Sequence, residues 1–98
     1  MNLQVTEKTT NILTKNSSEV KSSFSFSNGK TSGLLNCGTV FQAVAEKNDK
    51  SVTVSLLRQV DAENVEVYAS EVLHAVGSVS FEDRSATDMV TITFKLAK

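Results

Sequence analysis

The chain has 98 residues, a formal net charge of −1, 40% apolar residues, five Phe, one Tyr, one Cys, one His and neither Trp nor Pro. That length suits one domain over residues 1–98, with a modest core built mainly from Val, Leu, Ile and Ala. Cys37 alone excludes an internal disulfide framework, and one Cys with one His excludes a structural zinc site of four such ligands.

The residues after Met1 include no cationic stretch followed by an apolar one, and no apolar run approaches the roughly 20 residues that cross a bilayer. A location in the cytoplasm or within a soluble assembly is therefore expected, with no signal peptide, no transmembrane segment and no membrane partner. Lys8, Lys15, Lys21, Lys30, Lys47 and Lys50 are dispersed, so nucleic acid is not an expected partner either. Residues 59–88 carry Asp61, Glu63, Glu66, Glu71, Glu82, Asp83 and Asp88 against Arg84 alone. An acidic surface opposed to a basic one favours head-to-tail contact between copies.

Residues 1–19 combine weak alternation at Leu3 and Val5 with many Thr, Asn and Ser, and read as an arm or an edge strand. From Val20 the pattern is plain: Val20, Ser22, Phe24 and Phe26 share one face, expected to be the core face. Asn28-Gly29 then predicts a hairpin turn of type I′, with a return strand from Thr31 to Asn36. Thr39 to Glu46 places Phe41, Ala43 and Ala45 on one parity and Val40 and Val44 on the other. After the charged turn Lys47-Asn48-Asp49-Lys50, Ser51 to Arg58 alternates through Val52, Val54 and Leu56, with Leu57 on the outward parity. These two segments are expected to pair.

Val65, Val67, Ala69, Leu73, Ala75, Val79 and Phe81 share one parity, which predicts a single long strand from Val65 to Phe81, buried on one face. The same alternation returns at Val90, Ile92, Phe94 and Leu96, and the two segments read as a large hairpin. Ala62, Val65, Ala69, Val72 and Val76 also fall at the spacing of an amphipathic helix, with Asp61 to cap it and Gly77 to end it. The expected fold is all-β, an antiparallel meander forming a small barrel or sandwich; the alternative is α+β with one helix at about 61–76.

Chemistry-bearing residues are sparse. Cys37 and His74 have no spacing that marks a nucleophile and its base. Glu82, Asp83 and Asp88 surround one loop without the ordered spacing of a calcium site, and Gly29, Gly33 and Gly38 lack the context of a phosphate loop. No catalytic residue, cofactor or metal is expected. On the long-strand reading Tyr68, Val72 and Val76 project together from the outward face as a contact patch. The expected function is therefore that of a non-enzymatic structural or interaction subunit, associating with itself or another protein. The alternative is a small-ligand barrel, with a cavity left by the small residues Ala43, Ala45, Ala69, Ala75 and Gly77.

Overall fold

Apolar and hydroxyl-bearing residues alternate through most of the chain, a period that leaves one face of a strand dry and the other wet. The computed structural model describes residues 2–27, 29–36, 38–45, 51–74 and 77–97, and among them it contains eight strands and no helix. They are β1 (Asn2–Asn11), β2 (Ser17–Ser25), β3 (Lys30–Leu34), β4 (Val40–Ala45), β5 (Ser51–Gln59), β6 (Val65–His74), β7 (Ser78–Arg84) and β8 (Asp88–Ala97). Sheet 1 has the order β2-β1-β8-β7 and sheet 2 the order β3-β4-β5-β6, with every neighbouring pair antiparallel.

Neighbours follow chain order and β8 returns to β1, so the eight strands trace an up-and-down ring. The ring is opened along two seams, between β2 and β3 and between β6 and β7, and flattens into a sandwich rather than closing as a barrel. The core lies between the sheets. The central strands contribute Leu3 and Val5, Phe41 and Ala43, Val52, Val54 and Leu56, and Ile92 and Phe94, all buried. Each large side chain of this set contributes about 1.5–3 kcal/mol through its burial. Phe24, Phe41, Phe94 and Phe81 form a chain of ring contacts with centroids 4.7, 5.5 and 5.8 Å apart, so aromatic rings fill the space between the layers.

Three expectations are corrected. Residues 2–11 are neither arm nor edge: β1 lies between β2 and β8, because its inward residues Leu3 and Val5 need cover from both sides. Only residues 17–19 of that segment belong to an edge strand, β2. The turn after Ser27 forms, with Ser27 and Lys30 exchanging backbone hydrogen bonds of 2.9 and 3.0 Å. Its arms then part, β2 to sheet 1 and β3 to sheet 2, so the turn is a corner between layers; Asn28 lies outside the described residues.

The third correction concerns residues 65–81. They form two strands in different sheets, separated near Gly77, whose φ of +131° is a backbone state that L side chains rarely adopt. β6 pairs with β5, and only β7 pairs with β8, so the large C-terminal hairpin is confined to residues 78–97. The helical alternative at 61–76 does not form in the described part of that range, since the β-branched residues Val65, Val67 and Val72 all find cross-strand partners on β5.

One inward position carries a charge. Glu7 continues the parity of Leu3 and Val5 and is almost fully buried, yet its Oε2 accepts hydrogen bonds from the backbone N (3.0 Å) and Nδ2 (2.9 Å) of Asn36. A sheet 1 carboxylate thus holds the β3–β4 connection of sheet 2, where Leu35 is buried.

Candidate interaction surface

Directly opposed residues of an antiparallel ladder share a face, so the register alone builds the outer surface of sheet 2. Leu34 lies opposite Val40, Val40 opposite Leu57, and Leu57 opposite Val67, a straight apolar row crossing all four strands. Leu34, Val40 and Val67 are 69%, 42% and 52% exposed, and Leu57 is half-buried between them. The next row is polar, Ser32, Gln42, Ser55 and Ser70, with the Ser55 and Ser70 hydroxyls 3.2 Å apart. Beyond it come Lys30, Val44, Thr53 and Val72.

A β-bulge supplies the last member of the apolar row. Leu56 pairs with Ala69 and Leu57 with Val67, leaving Tyr68 as the extra residue of β6. One extra residue reverses the alternation. Val67 and Val65 therefore leave the inward parity expected of them and join the outer face, where Val65 lies opposite Gln59 and is 56% exposed. The Arg58 guanidinium covers the Tyr68 ring at 5.7 Å and bonds Glu66 through Nε (2.7 Å) and Nη2 (2.6 Å), which fixes the distorted stretch.

The turn feeding β6 is held from within. Asp61 Oδ1 accepts the backbone N–H groups of Glu63 and Asn64, both at 2.9 Å, and Asn64 Nδ2 donates to Oδ2 at 2.8 Å. The side-chain bond from Asn64 first, then the backbone bonds, hold the Asp61 carboxyl below its ordinary value of 3.8. Around this end of the molecule an open cleft of about 560 Å³ is lined by Leu34, Val40, Leu57, Arg58, Tyr68 and Asp83 among others.

Of the three residues expected to form a patch, Val72 is on the outer face and 46% exposed, opposite Thr53. Tyr68 is in the bulge beside Arg58, and Val76 lies outside the described residues. Leu34, Val40 and Val67 were not expected to join them. A signal existed at Val40 and Leu57, two apolar residues on outward parities, but only the register shows that they are opposed.

His74 is exposed and lies opposite Ser51, while Cys37 is outside the described residues. Among the described residues no three His, Cys, Asp or Glu side chains come together to hold a metal ion, and no buried side-chain nitrogen or oxygen lacks a partner. No helix among them is long and apolar enough to cross a membrane. No family model matches the chain, and no curated protein or solved structure is found to be similar to it.

Proposed function

We propose that the protein is a non-enzymatic structural or interaction subunit that associates with itself or takes a place in a larger assembly. The observation that supports this reading is the apolar row Leu34, Val40, Leu57 and Val67, which crosses the four strands of one sheet and is exposed at every member but the half-buried Leu57. Single exposed apolar residues are ordinary on a protein surface, whereas a contiguous set on a flat sheet face marks a contact.

Sedimentation over a wide concentration range tests it. The mass is expected to rise above that of the 10.6 kDa chain as concentration increases. Val67→Lys, at an exposed position, is expected to weaken association by roughly tenfold or more, since it replaces burial of a Val by desolvation of a charge. Its far-UV circular dichroism should match the wild type. A monomer at every concentration, with no partner required for stability, overturns the proposal.

A further inference from the structure

The two open sides of the sandwich differ in charge. On the side of β2 and β3 the charged residues are Glu19, Lys21 and Lys30, two cations and one anion; on the side of β6 and β7 they are Glu66, Glu71, Glu82, Asp83 and Arg84, four anions and one cation. Each sheet also has four antiparallel strands, so its two edges run in opposite directions. A second copy displaced sideways without rotation therefore brings its β2 antiparallel to β7 of the first, and its β3 antiparallel to β6. Both sheets continue with the strand polarity they already have.

Side-chain pattern selects a register for the β7–β2 junction. An antiparallel ladder that sets Lys21 of the added copy opposite Glu82 also sets Glu19 opposite Arg84, because the paired numbers move in opposite senses. Both charge pairs are then complementary and lie on the outer face. On the inner face the same register sets Phe24 opposite Val79, two half-buried residues already packed at opposite margins of the core. Pairing two like sides instead would bring the acids of β6 and β7 in both copies together, an arrangement that like-charge repulsion disfavours.

We infer that a second copy of this chain docks head to tail, the β2/β3 side of one against the β6/β7 side of the next, with Lys21 opposite Glu82 and Glu19 opposite Arg84. This rests on the reading of the protein as an assembling subunit. The contact is heterologous and repeats, and displacement without rotation makes the repeat an open filament. It also extends the apolar row of sheet 2, whose two ends, Leu34 and Val67, belong to the edge strands that would meet.

Charge reversal tests the geometry, because Lys21 and Glu82 are both exposed and neither is part of the core. Lys21→Glu and Glu82→Lys are each expected to weaken self-association about tenfold, each turning an attractive cross-strand pair into a repulsive one. An equimolar mixture of the two variants should recover wild-type association, since every junction in an alternating chain then pairs opposite charges. If the wild type associates but neither variant changes it, or if the mixture stays as weak as its components, the head-to-tail register is wrong while the assembling role survives. If the wild type is monomeric at all concentrations, both fall.

Discussion

At the scale of single residues, the β2/β3 seam depends on one missing side chain. Gly33 lies opposite Phe41 in sheet 2, and Phe24 reaches across from sheet 1 to rest on its backbone. A Cβ at Gly33 would lie 2.6 Å from Cε1 of Phe24 and 2.9 Å from Cε1 of Phe41, closer than real Cβ contacts come. The Phe41 ring is fully buried and cannot yield freely, and the half-buried Phe24 ring packs edge-on against it. Gly33→Ala is expected to destabilise by about 1–3 kcal/mol in urea unfolding, the usual range for overpacking. Pairing it with Phe24→Leu should return part of that loss, and strictly additive effects would show that the Phe24 contact is not the cause.

At the scale of elements, β6 carries two alternation patterns in sequence and uses a bulge to reconcile them. Below Tyr68 the inward residues are Ala69 and Leu73; above it Val67 and Val65 follow the opposite face. Removing Tyr68 from the chain leaves Val67 next to Ala69, and these already pair with adjacent residues of β5, Leu57 and Leu56. The deletion is thus expected to give a regular ladder with both faces unchanged. It should cost about 1 kcal/mol in thermal unfolding, mainly from the lost Arg58 contact. A deletion inside a strand that instead unfolds the protein would show that the bulge itself is required.

The same strand marks where sequence reading succeeds and where it stops. Val90, Ile92 and Phe94 were legible as an inward face because β8 is regular over that stretch and packs one face against the other sheet. Val65 to Phe81 presented an equally clear parity, but the parity spans a bulge and a corner, and it holds across them only by coincidence of spacing. Tyr68 is not a residue type that announces a bulge, and Gly77 interrupts a strand pattern as readily as it turns one. Glu7 was legible in principle, since it continues the parity of Leu3 and Val5; its partner Asn36 lies 29 residues away and no local pattern connects them. The apolar row was hidden for the same reason, each member coming from a different strand.

At the scale of the whole molecule, both sheets are open at both sides, and long exposed edges are the places where β proteins meet other chains. On the proposed association, the charges on those sides select which edges meet. This is why the association proposed above is head to tail, and why reversing one charge on each of two variants distinguishes it from a pairing of two like sides.

The route of the chain through the sandwich also bears on how it reaches that shape. Sheet 2 takes four consecutive strands, β3 to β6, in chain order, whereas sheet 1 is assembled from a hairpin at either end of the chain, joined only where β1 meets β8 with Asn2 opposite Ala97. Closing that pairing requires nearly the full chain length, and contacts of such separation form late because the entropy of closure is lost before the ladder returns it. In pulse-labelling hydrogen exchange during refolding, the amides shared by β4 and β5 should be protected before those shared by β1 and β8. Simultaneous protection would mean that the sheets fold as a single unit. On the expected order, the inner residues of β4 and β5 wait without their covering layer, and the last ladder to form is the one that seals the core.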